Sequence, residues 1–154
     1  MEAVETKEQA TGQSKGTVKI TICKSLSGIA EGAELVHQEF EKQIKELQAN
    51  AELGAGGCSM GQVGCRGYCS KDVLVDVYVP GQDPVTYEKV KPEMVVKILK
   101  DHVIGGKVFK KAAAKDDYYE NLKKQKRVAL EFGGRIDPES IDEYLEVGGY
   151  EGLK

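Results

Sequence analysis

Tryptophan is absent from this chain of 154 residues, and histidine (two), phenylalanine (three) and proline (four) are scarce. No apolar run is long enough to span a bilayer, so we expect no membrane insertion. Neither sign of charge dominates, because 22 basic residues stand against 25 acidic ones and the net charge is −3. This balance disfavours nucleic acid and anionic membranes as partners.

Two short motifs are also missing from the sequence. No Gly-x-Gly-x-x-Gly occurs, so the glycine-rich fingerprint of dinucleotide-binding sites is absent. No Cys-x-x-Cys occurs either, and this spacing is typical of zinc knuckles and of thiol oxidoreductases whose cysteine begins a helix. A structural zinc site and a thioredoxin-like oxidoreductase are therefore disfavoured but stay open.

Composition divides the chain into four parts. Residues 1–16 are polar and acidic, carry too little apolar surface to offset the entropy of ordering, and do not resemble a secretory signal. We expect a disordered leader there, one domain over 17–107, a linker or exposed helix over 108–126, and a segment over 127–154 that is too small to bury its own core. A cytoplasmic location follows from the absence of a targeting signal, and thiols stay reduced there.

Periodicity predicts the elements of the first half of the domain. Alternating apolar residues indicate a strand over 17–23, and a stripe at intervals of four, four and three indicates a helix from about residue 29 to residue 48. Ser25 and Ser27 offer oxygens that could cap this helix. The glycine-rich stretch 50–64 reads as a loop or a weak strand, because glycine weakens both packing and backbone restraint.

A hairpin and a second helix follow. Alternation predicts a strand over 73–79, a turn at Pro80, and an antiparallel partner over 85–90. Pro92 suits the first position of a helix that ends near residue 105. The order strand, helix, weak strand, strand, strand, helix predicts an α/β sandwich of the thioredoxin type with a four-stranded mixed sheet.

The sequence over residues 108–154, the C-terminal stretch, predicts a partly ordered extension of this sandwich. Tyr118 and Tyr119 form the aromatic pair of the linker, and we expect them to make a packing contact. Residues 127–132 suggest a short strand, and residues 137–140 open a helix that the glycines at 148 and 149 close.

The four cysteines carry the most specific chemistry in the chain: Cys23, Cys58, Cys65 and Cys69. Four thiolates can hold one iron–sulfur cluster or one zinc ion. Cys65 and Cys69 lie four apart around Gly67, and glycine lets the chain turn tightly over a metal. Cys23 ends the first predicted strand, from which it reaches the same place if that strand lies beside the one after Cys69.

The motif around the paired cysteines resembles a known family. Residues 64–69, with the sequence GCRGYC, match the Gly-Cys-x-Gly-x-Cys motif of thioredoxin-like [2Fe-2S] ferredoxin domains. These domains occur as the 24 kDa subunit of respiratory NADH dehydrogenase and at the N-terminus of the flavoprotein subunit of NAD(P)-reducing hydrogenases. Residues 133–144 and 148–150 also resemble the start of the flavin- and NADH-binding subunit. The similarity extends over roughly residues 17–154.

The resemblance implies a set of cluster ligands. The family pattern is Cys-x4-Cys, a long gap, and Cys-x3-Cys, so Cys23, Cys65 and Cys69 match three positions. The fourth falls at Gly28, which has no side chain to bind iron. Cys58 lies in a flexible glycine-rich stretch and is the substitute that we expect. The hypothesis is that Cys23, Cys58, Cys65 and Cys69 ligate one [2Fe-2S] cluster, with a serine at 25 or 27 as the poorer alternative.

Two functions follow from this resemblance. The first is an electron-transfer module in an NADH-dependent oxidoreductase or hydrogenase complex, with no catalytic residues and no FMN or NADH site of its own. Its partners would be a flavin- and NADH-binding subunit and other iron–sulfur subunits, and a homo-oligomer stays open. The alternative is a docking module of such a complex that has lost its cluster, because one family ligand is missing.

Overall fold

Four strands form a single mixed sheet in the computed structural model, which describes residues 17–53 and 56–153. The predicted leader lies outside the described residues. The strands are β1 (Val18–Cys23), β2 (Cys58–Val63), β3 (Val75–Tyr78) and β4 (Val85–Tyr87). Their order in the sheet is β2-β1-β3-β4, with β1 and β2 parallel and the other two pairs antiparallel. The predicted four-stranded mixed sheet is confirmed.

The first helical region consists of two helices rather than the predicted one. Helix α1 (Leu26–Ala30) is capped by Ser25, whose Oγ accepts a hydrogen bond from the Gly28 N–H at 3.2 Å. Helix α2 (Ala33–Ala49) begins after Gly32, which has φ = 94°. A helix cannot continue through this left-handed conformation, so the predicted start near residue 29 was wrong.

The main core lies between the sheet and the helices on one face. Helix α2 presents the predicted apolar stripe, and helix α3 (Pro92–Lys97), which continues as a π-helix over Ile98–Ile104, lies beside it. The large apolar side chains that these helices bury are those of Val36, Phe40, Ile44, Leu47, Val95, Ile98 and Leu99. They pack against β1 and β3, and this packing fixes the position of β1 and of the residue that ends it.

The glycine-rich stretch before the paired cysteines contains the weak strand that the sequence left open. Strand β2 pairs with β1 in register, with Val18 opposite Cys58 and Cys23 opposite Val63. Residues 54–55 lie outside the described residues.

The described part of the C-terminal stretch contains two α-helices and a short 3-10 helix (Glu151–Leu153), and no strand over residues 127–132. Helix α4 (Asp116–Lys124) lies in the predicted linker and buries Tyr118. Residues 127–132 form turns, and Val128 is 77% exposed, so the predicted strand was wrong. Leu130 is also exposed, so these residues bury no apolar face of the kind that holds a strand on a sheet. The outer edge of β4 is met by an isolated bridge between Tyr87 and Ala113.

Helix α5 (Ile141–Glu146) confirms the predicted C-terminal helix. Ser140 caps it by accepting a hydrogen bond from the Glu143 N–H at 3.2 Å, and the Glu143 carboxylate accepts one from the Asp137 N–H at 2.7 Å. In a capping box the Glu143 carboxylate would bond the N–H of Ser140, whereas here it bonds the N–H three residues earlier. Across the described ranges 17–53 and 56–153, no helix has the length and apolar character that crossing a bilayer requires.

Phe40 is fully buried in the main core, whereas Leu35 on the same helix is 61% exposed. We expect Phe40→Ala to lower the free energy of unfolding by about 3–5 kcal/mol, because it removes buried apolar surface and leaves a cavity. Leu35→Ala is the control and should change it by less than about 0.5 kcal/mol. Urea denaturation followed by circular dichroism measures both, and equal losses would contradict the packing described here.

Candidate metal centre

Cys65 and Cys69 face each other across a tight loop that follows β2. Their Sγ atoms are 3.8 Å apart. Gly67 makes the turn with φ = 84°, and its N–H donates a hydrogen bond to Cys65 Sγ at 3.3 Å. Two thiolates that each lie about 2.3 Å from one tetrahedral metal are about 3.8 Å apart. The two sulfurs therefore already have the separation of a chelating pair.

Cys23 lies next to this loop at the end of β1. Because β1 and β2 are parallel, their carboxyl ends meet at the same edge of the sheet, and Cys23 is opposite Val63. Its Sγ is 3.9 Å from the carbonyl oxygen of Gly64, the residue before Cys65. The Cys23 side chain is 1% exposed and packs in a small apolar cluster with Val63 and Leu74. The site thus has two accessible thiols and a buried third one beside them.

Cys58 lies at the other end of the same pair of strands. It is opposite Val18, five residues before Val63, so it is about 16 Å along the strand from the end where Cys23 lies. Its side chain packs against the main core. The prediction that Cys58 supplies the fourth ligand conflicts with this register, because a strand that is hydrogen-bonded along its length cannot fold its first residue back to its last.

Gly28, where the resemblance places a ligand, is buried in α1. A Cβ atom at this position would collide with the carbonyl oxygen of Cys23, so a cysteine would not fit here without a shift of the backbone. Oxygens near the loop include that of Ser27, whose Oγ donates to the Cys69 carbonyl at 3.3 Å, and those of Asp72. Asp72 Oδ1 is buried without a hydrogen-bond partner, and Asp72 Oδ2 accepts a hydrogen bond from Ser25 Oγ at 3.3 Å.

Within residues 17–53 and 56–153, no set of three or more His, Cys, Asp or Glu side chains converges closely enough to hold a single metal ion. The donors that fit a thiophilic metal are therefore the Cys65–Cys69 pair, with Cys23 adjacent. A complete set of four protein ligands is not assembled in the described part of the chain.

The pKa values of two of these thiols, Cys23 and Cys69, are raised, which favours their neutral form. Burial raises the pKa of Cys23, although hydrogen bonds with Ser25 oppose this effect. The hydrogen bond with Cys65 raises the pKa of Cys69, and the negative charge of a Cys65 thiolate would raise it further. Because a metal cation stabilises thiolates directly, metal binding here would release protons.

Arg66, between the two cysteines, points into the protein and was missed by the sequence analysis. Its Nη1 donates to Asp76 Oδ1 at 3.0 Å and to the Tyr118 hydroxyl at 3.1 Å, and its Nη2 also bonds Asp76. Burial alone would lower the pKa of Arg66, but the Asp76 carboxylate outweighs this effect and raises it. A signal did exist in the sequence, because Asp76 interrupts an apolar strand and a buried carboxylate needs a partner.

The fold is shared with solved structures. One is a thioredoxin-like [2Fe-2S] ferredoxin from Aquifex aeolicus, 23% identical over 65% of this chain and 92% of that chain, with a TM-score of 0.54. A second structure, of the wild-type protein, is 23% identical over 66% of this chain and 99% of that chain, with a TM-score of 0.54. A third structure, of a variant with one cysteine replaced by serine, is 22% identical over 64% of this chain and 99% of that chain, with a TM-score of 0.52. The predicted thioredoxin-like fold is confirmed.

No protein-family model matches the chain, and no curated protein sequence matches it either. The solved structures are less than 25% identical to this chain, so they establish the fold and not the activity.

Cys58 should react slowly with alkylating agents. Burial raises its pKa from 9.0 to about 12, which lowers the thiolate fraction at pH 8 by about a thousandfold. We expect iodoacetamide to modify Cys58 far more slowly than Cys69, and the rate at Cys58 to rise about tenfold for each pH unit while the fold persists. Peptide mapping by mass spectrometry measures this, with chain unfolded in guanidinium as the control. Equal rates at both residues in folded protein would contradict the described position of Cys58.

Proposed function

We propose that this chain is an electron-transfer module that holds a [2Fe-2S] cluster at its cysteine corner, the place where Cys23, Cys65 and Cys69 lie. The observation that carries the proposal is the 3.8 Å separation of Cys65 Sγ and Cys69 Sγ in a thioredoxin-like fold. Cys23, Cys65 and Cys69 would hold the cluster, and a ligand other than Cys58 would complete it. Such a cluster takes up and releases one electron at a time.

The residues of the corner would favour this role in specific ways. The Gly67 N–H already donates to Cys65 Sγ at 3.3 Å, and hydrogen bonds to ligand sulfurs stabilise the additional negative charge of a reduced cluster. Cys69 is exposed, which gives an electron partner a short path to the site. The small apolar cluster of Cys23, Val63 and Leu74 would keep water from the opposite side.

The partners that we propose follow from the resemblance of the C-terminal stretch to the flavin- and NADH-binding subunit of oxidoreductase complexes. Helix α5 and the turn after it expose apolar side chains: Ile141 is 54% exposed, Leu145 51% and Leu153 81%. A partner subunit that covers these side chains would stabilise the complex. A cytoplasmic NADH dehydrogenase or hydrogenase complex is the context that fits best.

A cluster-free docking module is the second candidate. Glycine at position 28 favours it, because the backbone there excludes the side chain that the family uses as a ligand. In this case the paired thiols would be a remnant, and the exposed apolar side chains of the C-terminal stretch would carry the function.

Iron and acid-labile sulfide distinguish the two candidates. We expect anaerobically purified or reconstituted chain to contain about two irons and two sulfides, and to give an electron paramagnetic resonance signal after reduction. Cys65→Ser and Cys69→Ser should each reduce the iron content severalfold. Cys58→Ser, the matched control at a remote thiol, should retain it. Folded protein without iron after reconstitution would refute the electron-transfer proposal and support the docking module.

A further inference from the structure

The C-terminal stretch contacts the cysteine loop, residues 64–69, at several independent points. The Tyr118 hydroxyl accepts a hydrogen bond from Arg66 at 3.1 Å, and the Tyr118 ring centroid is 4.8 Å from that of Tyr68. The Gly134 N–H donates to the Gly64 carbonyl at 3.1 Å. Contacts therefore reach the loop from Gly64 to Tyr68, immediately before and between the two cysteines.

Two glycines allow the chain to lie directly on this loop. A Cβ atom at residue 133 would collide with the carbonyl oxygen of Cys65. A Cβ atom at Gly134, where φ is 77°, would lie 2.8 Å from Arg66 Nε. Glycine is required at residue 133 by the close approach of two backbones, and at Gly134 by the buried Arg66 side chain as well as by the positive φ.

Arg66 is held from two sides by these contacts. Asp76, on β3, fixes its guanidinium from the sheet, and Tyr118 fixes it from helix α4. All three side chains are buried, with exposures of 8% for Arg66, 3% for Asp76 and 2% for Tyr118. Because a buried charge that loses a partner is costly, the network strongly restrains the backbone of Arg66 and hence the directions of its neighbours Cys65 and Gly67.

We propose that Tyr118, Gly133 and Gly134 form a clamp that holds Cys65 and Cys69 in chelating geometry before any metal binds. Tyr118 is the positioning residue of this clamp and acts through Arg66. Because the clamp already restricts the loop, fewer conformations are lost when both thiolates bind one ion, and the metal affinity is higher. Metal affinity therefore depends on a helix that contributes no ligand. The inference rests on the proposed function only in treating the pair as metal ligands.

Zinc tests the clamp without any cluster. The sample is the full chain carrying Cys58→Ser, reduced and free of metal, and Zn²⁺ affinity is measured by competition with a chromophoric chelator. Tyr118→Phe keeps the ring against Tyr68 but removes the hydroxyl that bonds Arg66. We expect it to weaken Zn²⁺ binding about tenfold, the fold-change that corresponds to one hydrogen bond to a charged group. Gly134→Ala, which disturbs the clamp from its other side, should weaken it as well.

Tyr119→Phe is the matched control. The Tyr119 hydroxyl accepts a hydrogen bond from the Thr86 N–H at 2.9 Å, so its removal costs the fold one bond to a tyrosine hydroxyl but leaves the bond between Arg66 and Tyr118 in place. We expect both tyrosine variants to lower the melting temperature, but Tyr119→Phe to leave Zn²⁺ affinity within about twofold of the parent. Equal Zn²⁺ affinity of parent and Tyr118→Phe, an equal loss in both variants, or no measurable Zn²⁺ binding by the parent would each overturn the clamp.

The same preparations separate this inference from the proposed function. A tenfold zinc effect in protein that takes up no iron and sulfide would support the clamp and refute the electron-transfer proposal. A normal cluster content together with unchanged zinc affinity in Tyr118→Phe would refute the clamp and support the proposed function.

Discussion

The parallel register of β1 and β2 is the constraint on which the cysteine corner depends. It sets Cys23 opposite Val63 and so brings the end of β1 to the start of the loop that holds Cys65 and Cys69. The same hydrogen bonds hold Cys58 at the opposite end of the pair. A single register thus gathers three of the four thiols and separates the fourth, and the packing of α2 and α3 against the sheet keeps that register fixed.

A buried ion pair connects this corner to the rest of the molecule. Arg66 lies between two cysteines that are partly open to solvent, yet its guanidinium is inside, against Asp76 on β3. Thr86 Oγ1 on β4 donates to the same carboxylate at 2.6 Å, so two strands and helix α4 share one network. Burial of these charges is costly unless every partner is present, which makes the loop sensitive to changes in distant elements.

The cysteine corner combines a thiol pair in chelating geometry with a position that excludes a further thiol. The Cys65–Cys69 pair has the separation of a tetrahedral chelate, whereas the backbone at Gly28 leaves no room for a further thiol. Burial raises the pKa of Cys23 and the hydrogen bond with Cys65 raises that of Cys69, so these two thiols stay protonated until a cation arrives. A site of this kind is a thiol pair with a third thiol nearby.

Local pattern in the sequence determined the strands, the apolar stripe of α2, the hairpin and the cap of α5, because each depends on residues close together in the chain. It also indicated the paired cysteines, whose spacing is itself a local property. Only the tertiary structure decided the position of Cys58, the role of Arg66 and the return of residues 116–134 onto the loop. Strand register and buried charge pairing depend on residues far apart in sequence, so no periodicity records them: Asp76 signals that a partner is needed but not that the partner lies between two cysteines.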